Sequence, residues 1–329
     1  MPSYERLTLD PFITKFFLMF ILICAETVGL FGILGNIFNI CNFSKQGIDN
    51  SVTVTLVSLA LSELGALVTL QGYNMVSMPW MSVGVGDIDP SALFFIFFYL
   101  NGYFIRVSGL ITVYATFERC VSVFWPFKAK LIFTKNMAAI VNLIIYIVLL
   151  LYLLPPFYVF QVEFHFSPQL NKSIFFASVR SNAENLLQMM YNLFILIDIT
   201  IPYLIFLINI TCTSLIIRQL KTQAKWRKSV TRSFKKDSKE HSARKEQRVI
   251  VMLVTLSVVF VACLLPHCVV LTVFSVLEII DGDLVPVTYA FTFLLETINC
   301  SVSCIIYYKM SRKYREVATK MLAALKNFM

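Results

Sequence analysis

The sequence predicts an all-α membrane protein: a seven-transmembrane-helix bundle with a short amphipathic helix at the C-terminus. Three observations carry this prediction. Of the 329 residues, 58% are hydrophobic and only 14% are charged, where a water-soluble domain carries about 25% charged residues. The apolar residues gather into seven runs, at about 12–41, 51–78, 92–117, 137–157, 188–217, 249–277 and 285–308, each longer than the ~20 residues that cross a hydrocarbon core. The runs are also continuous, whereas strands of a membrane barrel are about 10 residues long and alternate. A backbone in lipid must bond to itself, so these runs are helices. With their ends included, helices are expected over 12–41, 51–78, 92–124, 137–157, 188–219, 247–278 and 285–308.

Charge sets the orientation. The net charge of +9 could suggest nucleic acid, but its placement excludes that reading. With alternate loops on opposite sides, Arg6, Lys15, Lys172 and Arg180 fall on one side, Arg106 lies inside the membrane, and the remaining 23 of 28 Lys and Arg fall on the other. The positive-inside bias makes the heavy side cytoplasmic, so the N-terminus is extracellular and the C-terminus cytoplasmic. The first run is about twice a signal-peptide core in length and is expected to remain as a helix. Asn171, in the sequon Asn171-Lys172-Ser173, then lies outside and is a candidate glycosylation site.

The eight cysteines all sit in helices or at their inner ends, as small buried apolar residues do. The one substantial polar block, 218–248, holds twelve Lys or Arg against Asp237, Glu240 and Glu246. It is expected to be a mobile cytoplasmic loop with helical ends, placed near anionic lipid or a partner. Beyond the seventh run, Met310, Tyr314, Val317, Met321, Leu325 and Phe328 recur at three- and four-residue spacing among Lys and Arg. That pattern predicts a helix over 310–328 lying on the inner surface of the lipid bilayer. Pro155-Pro156, Pro202 and Pro266 fall in or near helices four, five and six and permit kinks. A helix kinked at Pro266 can swing its inner half as a two-state element.

The motifs, taken in order along the helices, resemble the rhodopsin-like G-protein-coupled receptors. Helix one has Gly35-Asn36, helix two Leu59-Ala60-Leu61-Ser62-Glu63, and helix three ends in Glu118-Arg119-Cys120. Helix five has Pro202, helix six Phe260-Val261-Ala262-Cys263-Leu264-Leu265-Pro266, and helix seven closes on Ser303-Cys304-Ile305-Ile306-Tyr307. A guanidinium does not lose its proton, so Arg119 at the membrane edge needs an acid in one state and can engage another protein in a second. The stretches around Glu118 and Tyr307 look like those of expanded invertebrate chemosensory and peptide-receptor-like branches. The chain also departs from the family. Glu63 stands for the usual Asp, Leu264 for the helix-six Trp, and Ser303-Cys304 for Asn-Pro. Phe94 occupies the place of the helix-three cysteine, so the usual disulfide is impossible and the loop over the pocket is expected to be untethered.

The resemblance implies a ligand cavity walled by Asn101, Gly102, Ile105, Arg106, Asp198, His267 and Glu296. Residue counting agrees: Arg106, Asp198 and Glu296 each lie about 10 to 13 residues in from the outer ends of their helices, roughly 15–20 Å deep. Ionisable groups at such depth mark function by default. Either Arg106 and Asp198 form an internal salt bridge, or one base and two acids await an amine, a zwitterion or a peptide terminus. Asn101 stands where monoamine receptors carry Asp, which disfavours an aminergic ligand. Deeper, the alignment gathers Glu63, Ser108, Asn299 and Ser303, oxygen donors suited to an allosteric sodium ion; a neutral Glu63 hydrogen-bonded to these neighbours is the alternative. No other cofactor is expected. Glu246, 20 residues before Pro266, is expected to clamp Arg119 in the inactive state, and Glu118, Pro266 and Tyr307 complete the switch.

These readings predict a plasma-membrane receptor for an extracellular small polar molecule or peptide, with a heterotrimeric G protein and arrestin as implied partners. Histidines 165, 241 and 267 are scattered and no Gly-rich phosphate loop occurs, so no enzyme is expected. A non-signalling scaffold or decoy is the first alternative. A transporter using Arg106, Asp198 and Glu296 is the second.

Overall fold

The computed structural model describes residues 10–78, 89–167, 172–180, 184–230, 237–276 and 284–328; side chains of 224–247 and 325–328 lie outside that description. Among the described residues, seven helices are long and apolar enough to cross a membrane. They are α1 (Pro11–Gln46), α2 (Ser51–Val76), α3 (Pro90–Phe124), α5 (Lys135–Leu150) continued by α6 (Leu154–Val159), α7 (Glu184–Leu193) continued by α8 (Ile201–Val230), α9 (Asp237–Val276) and α10 (Leu284–Met310). A short α4 (Pro126–Ile132) and a terminal α11 (Arg312–Phe328) complete the helices.

Local chemistry sets the ends. The carboxylate of Asp10 accepts from the Phe12 amide, that of Asp89 from Ser91, and the Asn50 amide oxygen accepts from the Thr53 N–H. Each satisfies one of the orphan donors of a helix start. Gly47, at φ 86°, ends α1 in a conformation that a side chain would strain. Trp125-Pro126 ends α3, because Pro126 disfavours helical backbone at Trp125 and opens α4.

Two of the three proline sites interrupt regular α-helix. A 3₁₀ turn, Leu151–Leu153, precedes Pro155-Pro156 in the first turn of α6. In the fifth span Pro202 cannot donate to the Asp198 carbonyl, and residues Phe194–Thr200 widen into a π-helical turn. Pro266 lies within a continuous α9.

Two expectations are corrected. Residues 218–248 are not mainly loop: α8 runs to Val230 and α9 begins at Asp237. Lys- and Arg-rich sequence is compatible with helix, and charge alone does not break one. The loop after the fourth span is tethered without a disulfide. It folds into a hairpin, β1 (Phe160–Ser167) antiparallel to β2 (Lys172–Val179). The Asp89 amide donates to the Phe175 carbonyl at 2.8 Å, and Phe160 packs on Phe95 with ring centres 4.3 Å apart. Arg180 lies over the Tyr158 ring at 4.4 Å.

The bundle is closest where glycines face small partners. A Cβ on Gly32 would overlap the Ser301 hydroxyl, and one on Gly35 would come within 3.2 Å of the Cys304 Cβ. The first and seventh spans therefore pack backbone to side chain, as small residues permit in membranes. Phe43, Tyr307 and Tyr314 close the basic end, with ring centres 5.1 to 5.9 Å apart. Leu264, in place of a tryptophan, is buried with Ile205, Phe206, Phe260 and Cys268.

Candidate functional site: a charged cavity and a polar seam through the bundle

At the hairpin end, a cavity of about 90 Å³ is lined by Asn101, Gly102, Ile105, Arg106, Asp198, His267 and Glu296, with aromatic walls from Phe98, Tyr99, Tyr152, Tyr289 and Phe293. A second compartment of about 50 Å³ lies against Arg106, Asp198, Pro202, Phe260, Leu264 and His267. All seven residues expected at the ligand site thus line one cavity.

The π-helical turn carries Asp198 into the bundle, where it is buried. There it forms an ion pair with Arg106. Tyr152, on the fourth span, donates its hydroxyl to both carboxylate oxygens at 3.0 and 3.3 Å, and its ring lies 5.0 Å from the guanidinium carbon. Asp198 is thus engaged, while Arg106 keeps Nε and Nη1 buried without an acceptor. Gly102, one turn away, leaves room for the guanidinium: a Cβ there would overlap Nη1. Glu296 accepts from Asn101 Nδ2 at 2.8 Å, and Asn101 also reaches the Ala66 carbonyl at 3.3 Å. His267 Nδ1 lies 3.2 Å from the Thr292 hydroxyl. Glu296 and His267 both lie in the field of Arg106.

Below the cavity a seam of polar groups runs to the other end of the bundle. Asn36 donates to the Cys300 carbonyl at 2.8 Å. Ser303 donates to Glu63 at 2.8 Å, and Asn39 Nδ2 lies 3.3 Å from the Ser303 hydroxyl. Tyr314 of α11 donates to Asn39 Oδ1 at 2.6 Å, and Asn42 donates to the Tyr314 carbonyl at 3.1 Å. Burial pushes the Tyr314 hydroxyl pKa upward, so it remains a neutral donor. Of the four oxygen-bearing residues expected around a sodium ion, only Ser303 bonds to Glu63. The Ser108 hydroxyl is buried without a partner, and Asn299 Nδ2 meets the Cys300 sulfur at 4.0 Å. One carboxylate and one hydroxyl are fewer than the oxygen shell of a hard cation.

At the basic end, Arg119 pairs with its neighbour Glu118. Glu118 also accepts from Ser51 of the second span at 2.5 Å. One turn earlier, the Thr116 and Ser257 hydroxyls join the third and sixth spans at 2.8 Å. The Glu246 side chain lies outside the described residues, as does Asn171. Tyr307 is buried with its hydroxyl unpartnered.

Several contributing residues escape sequence reasoning. Tyr152, Thr292, Ser51 and Ser257 act only through contacts across the bundle. Glu26 had a readable signal, an acid inside the first apolar run. Gln71 Nε2 donates to its carboxylate at 2.9 Å and to its carbonyl at 2.8 Å. Asn74 lies beside that carboxylate, wholly buried.

Seven spans around a charged cavity at one end and a capped Glu-Arg pair at the other define a receptor-type membrane protein. The family model described as 7 transmembrane receptor (rhodopsin family) matches residues 35–307, and the chain belongs to that family. It is a multi-pass membrane protein of a class whose members work with ligands and G proteins. No curated protein matches the chain in sequence.

Proposed function

We propose that the protein is a plasma-membrane receptor that converts binding of a small extracellular zwitterion into G-protein activation. The observation that carries this reading is the buried Arg106 guanidinium: Asp198 holds it, yet two of its donor nitrogens have no acceptor. A buried donor without an acceptor costs about 1–3 kcal/mol. A ligand carboxylate supplies the missing acceptor with charge-assisted hydrogen bonds, and Glu296 offers a counter-charge for its ammonium group. A cavity of about 90 Å³ is far below the 300–1,000 Å³ of drug-sized sites. That size favours a molecule of amino-acid dimensions over a peptide.

The mechanism is a shift of population. Arg106, Asp198 and His267 line both compartments, so ligand contact reaches the packing of Phe206, Phe260 and Leu264 beneath. Repacking there lets the lower part of the sixth span swing about Pro266. The swing parts Ser257 from Thr116 and frees Arg119 from Glu118 for the G protein. A Glu246–Arg119 clamp would add to the resting state. The charge-rich end is taken as cytoplasmic; loss of a glycosidase-sensitive gel shift in Asn171→Gln checks that orientation.

The test is G-protein activation in cells, at matched surface levels, against a panel of amino acids and small zwitterions. A stimulating compound whose effect disappears in Arg106→Met supports the reading. Basal activity should rise in Glu246→Ala and vanish when Arg119→Ala is added. The loss of the helix-six Trp and of Asn-Pro favours a second reading, binding without signalling. Silence of all variants across the G-protein panel, with ligand still bound, would establish it.

A further inference from the structure

A separate cavity lies at the basic end. It holds about 630 Å³, within the range of small-ligand sites. Its polar wall is unusual in charge. Arg119 from the third span, Arg248 from the sixth, and Arg312 and Lys313 from α11 face it, and among the described residues Glu316 is the one acid of the wall. Arg119 is paired with Glu118, and Lys313 donates to the Gln46 carbonyl at 2.9 Å. Arg248 and Arg312 make no ion pair among the described residues, and both are exposed. Thr53 and Asn50 add polar groups, while Phe43, Leu56, Met252 and Met310 give the cavity an apolar side.

Four cations on three separate elements, facing one chamber, suit an anion with several separated charges better than a single carboxylate. The cavity opens where α11 lies along the bundle, at the level of an inner-leaflet surface, and basic pockets between membrane helices on that side take phosphorylated headgroups. We propose that this cavity binds a polyphosphate anion of the inositol class, presented as a membrane lipid headgroup or as the free phosphorylated inositol. Arg312 and Lys313 hold it at the rim and Arg248 from across the chamber. Because Arg119 lines the same space, a bound polyphosphate and an inserted G protein compete for it; this consequence, like the inner-leaflet placement, rests on the function and orientation proposed above.

The test is direct binding and needs no signalling. The full chain is placed in phosphatidylcholine nanodiscs and titrated with inositol 1,4,5-trisphosphate by calorimetry. In parallel, nanodiscs doped with phosphatidylinositol 4,5-bisphosphate are read for retained lipid by native mass spectrometry. Each cation near such a surface is worth about a fivefold change in affinity. Arg312→Gln with Lys313→Gln should therefore weaken binding about 25-fold, and Arg248→Gln, on another element, about fivefold. The control, Lys128→Gln with Lys135→Gln, removes the same charge from exposed positions outside the cavity. It should leave affinity unchanged within twofold. Retention of lipid names the headgroup as source, and binding of the soluble probe alone names the free anion; either supports the proposal. It is overturned if neither probe binds, or if the control weakens binding as much as the cavity variants, which would mark diffuse surface attraction.

Discussion

Replacing Asp198 with Asn keeps its shape and removes its charge, and the consequence can be worked out from the contacts around it. Arg106 would keep a full positive charge on a side chain 14% exposed, facing a residue 4% exposed. Tyr152 would donate to a neutral amide oxygen instead of a carboxylate, a weaker hydrogen bond by about 1 kcal/mol. Removing one partner from a buried ion pair costs about 3–5 kcal/mol, or two to more than three decades in the ratio of folded to unfolded protein. Arg106→Met should cost a similar amount, since it strands Asp198. The double variant Arg106→Met/Asp198→Leu should recover most of the loss, because well-packed apolar pairs replace buried ion pairs at little or no cost. The assay is thermal unfolding of detergent-purified protein with a thiol-reactive dye: Cys120, Cys212, Cys268 and Cys300 are buried and react only on unfolding. The signature is non-additivity in the cycle closed with Asp198→Leu: each single variant is unstable and the double is near wild type, so two losses of about 3 kcal/mol each cancel as a coupling of about 6 kcal/mol or more. If Asp198→Asn melts with the wild type, or the double variant is as unstable as the worse single, the pair does not hold the third and fifth spans together.

Three further outcomes follow from named contacts. Ser257→Ala removes the Thr116–Ser257 bond, worth about 0.5–1.5 kcal/mol, and should raise basal G-protein activation about two- to tenfold; unchanged or lower basal signal counts against a latch there. Tyr314→Phe leaves Asn39 Oδ1 without its donor and should destabilise the docked α11 by about 1–3 kcal/mol, read as faster amide exchange confined to α11 and the adjoining end of α1. Gly32→Ala forces a methyl group against Ser301 and Leu67 and should cost about 1–3 kcal/mol in the same thiol assay, with Gly32→Ala/Ser301→Gly recovering part of it.

The fold was legible because length and polarity alone decide it: an apolar run of more than 20 residues has few alternatives in lipid. The depth of Arg106, Asp198 and Glu296 was legible by counting residues at about 1.5 Å each. Their partners were not. Whether Arg106 met Asp198 or a ligand depended on the π-helical turn that rotates Asp198 inward, and no residue pattern announces such a turn before its proline. Tyr152 lies on another span, and its pairing is a long-range fact. Glu26 was different: its charge inside the first run was visible, and only Gln71 and Asn74 needed the fold to find them. The hairpin was hidden because its alternation of Phe and polar residues lies within a loop, after a short helix that carries two prolines in its first turn. The basic segment misled through composition, since charge density marks solvent exposure and not the absence of helix.

The hairpin has a consequence for how the protein meets its surroundings. In place of a covalent bridge, one backbone hydrogen bond from Asp89 and the packing of Phe160 on Phe95 hold it against the outer end of α3, and all eight thiols are free. Its attachment is therefore indifferent to redox conditions: a reductant that would unfasten a bridged loop leaves this one in place. The fastening is also reversible on its own, because contacts worth a few kcal/mol break and re-form thermally. Heat and denaturant, not reducing agents, are what should release it.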